Sequence, residues 1–173
     1  MNHEAARAQA DRNGALRWLW LSGLVIVLDQ LSKLVITFNL EIYDRIEVLP
    51  VFDITRLHNT GAAFSFLAGA GGWQRWFFIT IAAAVTALVC VWLKRMPRSG
   101  QGWLAASLAL IVGGAVGNVI DRVAHGHVVD FLSFHWDQWF FPAFNVADSA
   151  ITIGAVILLI QSLFEGRRKR KII

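Results

Sequence analysis

The chain has 173 residues, of which 56% are apolar and 16% are charged. A soluble domain is typically about 45–50% apolar and about 25% charged, so the composition argues against a soluble enzyme and favours one membrane domain covering residues 1–173. The net charge of +4 would suggest nucleic-acid binding in a soluble protein, but here the placement of the basic residues provides another explanation. The one cysteine, Cys90, leaves no intrachain disulfide. Because it lies in an apolar run without a basic neighbour in sequence, we interpret it as a small buried residue.

Four stretches are apolar enough to cross a bilayer, which takes about 20 residues of helix. They cover approximately residues 18–38, 76–93, 103–120 and 144–164, and aromatic residues mark most of their ends, as expected at a lipid–water interface. The first stretch is too long for a cleaved signal peptide, no small-residue cleavage site follows it, and it carries Asp29 and Lys33. We therefore predict an all-α membrane protein with four transmembrane helices, the first of which is retained.

Basic residues are concentrated on one side of this four-span topology. Three precede the first span, three lie between the second and third, and five follow the fourth, which accounts for 11 of the 16 Lys and Arg residues. The positive-inside rule makes that side cytoplasmic and places both termini there. Topology and attraction to anionic membrane lipid explain the basic tail better than nucleic-acid binding does.

The two remaining connections then face outward. The first contains two stretches in which polar and apolar residues alternate, at residues 41–48 and 51–57, a pattern typical of short strands. We expect a small extracytoplasmic β element there, followed by an amphipathic outward loop from about Ala62 to Trp73. The second connection, from about Asp121 to Ala143, is rich in His, Trp and Phe and is interpreted as an interfacial segment.

Ionisable residues at membrane depth are costly, so each one suggests a partner or a function. Asp29 and Lys33 are four residues apart on the first helix, in the favourable acid-before-base order. They are either a self-neutralising pair or part of a functional site, and the sequence favours neither alternative.

The outward end of the third helix carries three polar residues on one face, Asn118, Asp121 and Arg122. They are either a helix-end cluster that faces water or packed groups that point at partners. The small residues at 113–117 favour the packed alternative, because small residues let membrane helices approach closely.

Two further carboxylates lie near the same membrane surface. Asp148 follows Asn145 by three residues at the start of the fourth helix, where the two could serve only as a cap and a favourable charge. Asp130 has apolar neighbours on both sides, which is unusual for a solvated loop. Two carboxylates that share a site can activate water and protonate a leaving group. Spacing alone leaves Asp130 and Asp148 as one of several possible acidic pairs.

Motifs for other hydrolytic chemistries are weaker. His125 and His127 flank Gly126 without an HExxH or paired-cysteine pattern, and the sequence has neither GxSxG nor SxxK. Ser65 and Ser149 are only loose candidates for a serine site.

Five blocks of residues, in order, resemble those of bacterial lipoprotein signal peptidase (signal peptidase II), and the resemblance extends from about Leu16 to Phe164. The blocks are Asp29-Gln30-Leu31-Ser32-Lys33; Asn59-Thr60-Gly61-Ala62-Ala63-Phe64-Ser65; Gly113-Gly114-Ala115 with Gly117-Asn118 and Asp121-Arg122; Val128-Val129-Asp130-Phe131; and Phe144-Asn145-Val146-Ala147-Asp148-Ser149. Five ordered blocks are far more specific than any single motif.

The resemblance implies an aspartic endopeptidase of the bacterial cytoplasmic membrane, with its site toward the extracytoplasmic side. It would remove the signal peptide from prolipoproteins, cutting just before a cysteine that already carries a diacylglyceryl group. Asp130 and Asp148 would form the catalytic dyad without a metal or another cofactor, and the cyclic peptide globomycin would inhibit the enzyme. The outward loop would close over the lipid-bearing substrate. The expected substrate-binding or dyad-supporting residues are Asn59, Gly61, Asn118, Asp121, Arg122, Asn145, Asp29 and Lys33.

The main alternative is a non-enzymatic membrane protein, such as a small transporter or assembly factor, in which the intramembrane charges form an ion path or structural pairs. An ion path needs polar groups through the whole membrane thickness, and the second span has no charged residue. A membrane peptidase that uses serine or a metal is the other alternative.

Overall fold

The computed structural model describes residues 14–61, 71–97 and 100–170, with side chains described as far as residue 164. The amphipathic loop predicted from Ala62 to Trp73 falls outside these residues, except for its last three positions. A 3-10 turn at Leu16–Trp18 leads into the first of four helices. The helices are α1 (Leu19–Asn39), α2 (Trp73–Arg95), α3 (Gly102–His125) and α4 (Val146–Arg170).

Each helix contains a segment long and apolar enough to cross a membrane, which confirms the four predicted spans. The main difference is at the end of α3, which continues to His125 and so includes Asp121 and Arg122. The apolar span was predicted to end near residue 120, although Asp121 and Arg122 were placed on the outward end of the same helix. Apolarity marks the lipid-facing part of a helix and not its hydrogen-bonded end. Gly126, with φ of 81°, ends α3 in the left-handed conformation that suits a helix C-terminus.

Helix α3 lies at the centre and packs against each of the other three helices. Its glycines bring the backbones close together: a Cβ at Gly113 would lie 2.8 Å from Cβ of Val25, and one at Gly117 would lie 2.7 Å from Oδ2 of Asp29. The close helix packing predicted from residues 113–117 is therefore confirmed. The side of α1 that meets α3 is buried at every third or fourth residue. Its buried residues are Ser22, Val25, Asp29, Lys33 and Ile36.

A four-stranded antiparallel sheet, in the order β1-β2-β3-β4, lies at the end of the bundle where α1 ends and α4 begins. Ile36 and Leu40 pack there against Val129 and Phe131 of the sheet. The strands are β1 (Arg45–Leu49), β2 (Phe52–Asn59), β3 (Val128–Trp136) and β4 (Trp139–Phe140).

The first two strands occupy the stretches in which alternation predicted them. Strand β3 lies in the segment that was interpreted only as interfacial, so that interpretation missed the strand carrying Asp130. The reason is burial: residues 128–131 are all buried, whichever face of the sheet they point to. A strand covered on both faces has no polar–apolar alternation to detect.

Candidate active site

Asp130 is held on the sheet next to Asn59 by a bulge in β2. Ile54 pairs with Leu132, but Leu57 pairs with Asp130, so β2 contains one extra residue between these two pairs. Side chains alternate between the faces of a sheet, and the extra residue therefore puts Asn59 on the same face as Asp130. Nδ2 of Asn59 donates to Oδ2 of Asp130 at 2.9 Å.

Asp148 is fixed by the first turn of α4, in which Asn145 is the cap residue. The backbone N–H of Asp148 donates to Oδ1 of Asn145 at 2.9 Å, and the backbone N–H of Asn145 donates to Oδ2 of Asp148 at 3.2 Å. This reciprocal pair is a capping box, with Asn and Asp in the places of the usual Ser or Thr and Glu. Oδ1 of Asp148 accepts a further hydrogen bond from Nδ2 of Asn118 at 2.7 Å.

Asn145 joins the two carboxyl groups. Its Nδ2 donates to Oδ1 of Asp130 at 2.7 Å, while its backbone N–H contacts Asp148. The predicted capping role of Asn145 is therefore correct but incomplete. Both aspartates line one cavity of about 490 Å³, together with Asn59, Asn118 and other residues.

A second hollow, of about 700 Å³, extends over the face of the sheet and shares Asn59 and Asp130 with this cavity. Asp130 is only 3% exposed. Burial, and after it the nearby charge of Asp148, raises the pKa of Asp130 to about 7. One member of the pair can thus carry a proton near neutral pH, as a general acid requires.

A buried ionic network lies behind the dyad. The ammonium of Lys33 donates to Asp29 at 2.8 Å, contacts Asp121 at 2.9 Å and donates to Oδ1 of Asn118 at 3.1 Å. These three acceptors match the three hydrogens of the ammonium group. Asp29 and Lys33 thus form an ion pair, and Lys33 also contacts Asn118, which donates to Asp148.

The other ends of this network reach the sheet and α4. Oδ1 of Asp29 accepts the backbone N–H of Ala147 at 2.9 Å, and Oδ2 of Asp121 accepts that of Val129 at 3.1 Å. Asp121 is 3% exposed, so the alternative in which it faces water is wrong. Gln30 also belongs to this network, although no role was predicted for it. Its Nε2 donates to Oδ1 of Asp121 at 2.9 Å and to Oδ2 of Asp29 at 3.1 Å. Its only sequence signal was its place within the first matching block.

Arg122 ties the end of α3 to the chain that follows β2. Its guanidinium donates to the backbone O of Gly61 at 2.6 Å and lies 5.1 Å from the ring centre of Phe78. Gly61 in turn donates its N–H to Oδ1 of Asn59 at 2.9 Å. Nε of Arg122 is buried, and none of the described residues accepts a hydrogen bond from it. The structure thus brings all ten candidate residues into the dyad or its immediate surroundings.

The remaining candidates lie elsewhere or in other arrangements. The ring of His127 stacks on that of His58 with centroids 3.7 Å apart, and His125 lies 6.0 Å from His127. Burial lowers the pKa of both stacked histidines. The Ser149 hydroxyl donates to the backbone O of Asn145 at 2.9 Å, and Cys90 is a partly buried free thiol. Ser65 falls outside the described residues.

Comparison with known proteins identifies the family. Residues 21–164 match the model of a family described as signal peptidase (SPase) II. The chain is 56% identical over 162 residues to a lipoprotein signal peptidase of Pseudomonas aeruginosa, a match that covers 92% of this chain and 95% of the relative. It is 55% identical over 161 residues to a lipoprotein signal peptidase of Pseudomonas fluorescens, covering 92% of this chain and 94% of that one.

A solved structure described as a bacterial membrane enzyme has the same fold, with a TM-score of 0.80 and 31% identity over 92% of this chain and 94% of that chain. The match to a peptidase family does not favour the alternative that the protein is a transporter or an assembly factor. With four helices able to cross a membrane and a match that covers most of its length, the chain belongs to the signal peptidase II family of membrane proteases.

Proposed function

We propose that this protein is an aspartic endopeptidase that removes the signal peptide from diacylglyceryl-modified prolipoproteins, cutting just before the lipidated cysteine. Asp130 and Asp148 form its catalytic dyad, and water is the nucleophile. The substrate class is that of the lipoprotein signal peptidases to which the chain is more than half identical.

This proposal rests above all on the bridge that Asn145 forms between two carboxyl groups at one cavity. Two carboxylates close together cannot both ionise easily, so they retain one proton between them. The ionised member can remove a proton from water while the protonated member donates to the carbonyl oxygen of the scissile bond. The raised pKa of Asp130 supports a shared proton near neutral pH.

The surroundings of the dyad suit a lipid-bearing peptide. The lining of the cavity includes Phe144 and Ile151, which are apolar, and Arg122, whose Nε–H has no acceptor among the residues that the structure describes. An apolar wall favours an acyl chain or apolar side chains, and a buried N–H favours a backbone carbonyl. Asn59, Asn118 and Asn145 hold the dyad, Lys33 with Asp29 and Asp121 holds these residues, and Gly61 positions Arg122. We expect the cyclic peptide globomycin to inhibit by occupying the same cavity.

The enzyme is placed in the bacterial cytoplasmic membrane, with both termini in the cytoplasm and the dyad toward the extracytoplasmic side. The positive-inside rule supports this orientation, since 11 of the 16 Lys and Arg residues precede the first span, join the second to the third, or follow the fourth. A reporter enzyme fused after Ile173 should be active only in the cytoplasm, and extracytoplasmic activity would reverse the orientation.

The dyad is tested by Asp130→Asn and Asp148→Asn, each assayed on a purified prolipoprotein with and without the diacylglyceryl group. Both variants should lose cleavage of the lipidated substrate while remaining folded, and the wild type should cleave only the lipidated form. Asp53→Asn is a matched control, because Asp53 is a fully buried carboxylate of the same sheet that is paired with Arg45 away from the dyad. Normal cleavage by either dyad variant would contradict the proposal.

A further inference from the structure

The three asparagines around the dyad have only one possible orientation each. In every case the carboxamide oxygen faces a group that can donate a hydrogen bond but cannot accept one. The NH₂ groups of all three asparagines must therefore point the other way, toward the carboxyl groups. The oxygens of Asn59, Asn118 and Asn145 face the Gly61 N–H at 2.9 Å, the Lys33 ammonium at 3.1 Å and the Asp148 N–H at 2.9 Å, respectively.

This orientation gives the two carboxyl groups different partners. Asp148 accepts from a backbone N–H in the first turn of α4 and from Asn118. The start of a helix carries a partial positive charge, which stabilises an anion. The Lys33 ammonium polarises Asn118 and adds to this effect. The side chain of Asp29, which belongs to α1, also accepts an N–H at the start of α4, but its charge is paired with Lys33 at 2.8 Å.

Asp130 has less that favours its charged form. The hydrogen bonds that it accepts within the described part of the chain come from the neutral carboxamides of Asn59 and Asn145, and it lies on a strand rather than at a helix start. It is buried, as are its chain neighbours Val129 and Phe131, whereas Asp148 is only partly buried. Burial favours the neutral form of a carboxyl group, and a charged Asp148 nearby favours it further.

We propose that the resting dyad is asymmetric, with Asp148 as the ionised member and Asp130 as the member that carries the proton. This assignment rests on the proposed function for its chemical meaning, but the protonation states can be measured without cleavage. Lys33 acts as a positioning residue, because it turns the NH₂ group of Asn118 toward Asp148.

The assignment gives each aspartate a definite role in peptide hydrolysis. The Asp148 carboxylate takes a proton from water as the water oxygen bonds to the scissile carbon, and Asp130 gives its proton to the carbonyl oxygen. In the resulting gem-diol the C–N bond then breaks. The leaving nitrogen takes the proton now on Asp148, and one diol hydroxyl returns a proton to Asp130. The products are a carboxylic acid and an amine, and the dyad is restored to its starting protonation.

Infrared difference spectra between pH 5.5 and pH 8.5 test this assignment on the purified full chain in detergent. The wild type should show one carboxylic-acid carbonyl band that disappears as the pH rises. Asp130→Asn should lack this band. Asp148→Asn should keep it at pH 5.5 and lose it at a lower pH than the wild type, because the neighbouring negative charge is gone. A band that is kept by Asp130→Asn, or absent from Asp148→Asn at pH 5.5, would overturn the assignment.

A second measurement needs no variant and so does not depend on the folding of Asp148→Asn. Diazo reagents esterify protonated carboxyl groups, whereas epoxides alkylate ionised ones. Peptide mass mapping of the wild type should find the diazo label on Asp130 and the epoxide label on Asp148, and the opposite labelling would overturn the asymmetry. The two proposals fail in different ways. Normal cleavage by both Asp→Asn variants would overturn the proposed function, while reversed labelling with both variants inactive would overturn only the assignment.

Discussion

Alanine at position 117 is expected to disrupt the buried network behind the dyad. Gly117 lies on α3 where an added Cβ would be 2.7 Å from Oδ2 of Asp29 and 3.3 Å from Cβ of Ala147. Real Cβ atoms essentially never approach another heavy atom to less than 3.0 Å, so Asp29 would have to move. Asp29 is a short side chain held by Lys33 at 2.8 Å and by the N–H of Ala147 at 2.9 Å. It therefore cannot move far without losing one of these hydrogen bonds.

The size of the effect follows from these contacts. Overpacking costs about 1–3 kcal/mol, and breaking a buried ion pair costs about 3–5 kcal/mol. The better helix propensity of alanine offsets roughly 1 kcal/mol of this. We expect Gly117→Ala to lower the free energy of unfolding by about 2–4 kcal/mol. Cleavage should fall at least about tenfold, or roughly 1.4 kcal/mol of transition-state stabilisation, because Ala147 belongs to the helical turn that carries Asp148.

Thermal unfolding of the purified protein in detergent measures this change. At about 2–4 °C per kcal/mol for a chain of this size, the midpoint should fall by roughly 5–15 °C. Gly23→Ala is the matched control, since Gly23 lies within α1 and an added Cβ there has no neighbour within 4 Å. It should keep full activity and unfold at the same temperature as the wild type, or up to a few degrees higher.

The contact itself can be isolated in an Asp29→Ala background. There the atom nearest to the new Cβ is absent, so Gly117→Ala should cost much less than it does in the wild type. Equal losses in the two backgrounds, or a Gly117→Ala variant as stable as the wild type, would refute the reasoning from this close approach.

Three further predictions follow from the site. Because the pKa of Asp130 is raised from 3.8 to about 7, this carboxyl group binds more protons in the folded chain than in the unfolded chain between these values. Its contribution to wild-type stability therefore falls as the pH rises from about 4 to about 7. Asp130→Asn lacks this titration, so its free energy of unfolding relative to that of the wild type should rise by on the order of 4 kcal/mol over that pH range. If chemical denaturation gives the same difference between variant and wild type at every pH, the raised pKa is contradicted. Asn145→Ala removes a helix cap worth about 1 kcal/mol and a donor to Asp130. The loss of cleavage should therefore be much larger than the small loss of stability explains. A loss of cleavage that only follows the fraction of unfolded protein would indicate a structural role alone. Lys33→Met leaves Asp29 and Asp121 buried without their cation and should destabilise the protein by about 3–5 kcal/mol, which a near-normal midpoint would contradict.

Much of the fold was predictable because its signals are local. Each span is a continuous apolar stretch. The sequences of strands β1 and β2 alternate between polar and apolar residues; burial alternates in the first half of β2, whereas every residue of β1 is exposed. The small residues at 113–117 predicted close helix packing, and the structure confirms it at Gly113 and Gly117. Strand β3 was not predictable in the same way, since its first four residues are all buried and show no alternation.

The candidate site was predictable only in part. The five matching blocks named its members, but they did not indicate which side chains touch. The bulge in β2 decides that Asn59, and not its neighbour His58, shares a face with Asp130, and a bulge has no signature in hydrophobic periodicity. Gln30 had no predicted role, because its contact with Asp121 depends on the packing of another helix.

The sequence by itself determined that this is a membrane protein with four spans and with basic residues on one side, because apolarity, length and charge are sums over neighbouring residues. The tertiary structure alone decided how the polar residues meet. Asp29 accepts a hydrogen bond from the backbone of Ala147, 118 residues away, and Asn59 donates to Asp130 across 71 residues. Such contacts depend on how closely helices pack and on which register a sheet adopts. Those properties arise only when distant segments exclude solvent and lipid together, and they turn two separate aspartates into a pair.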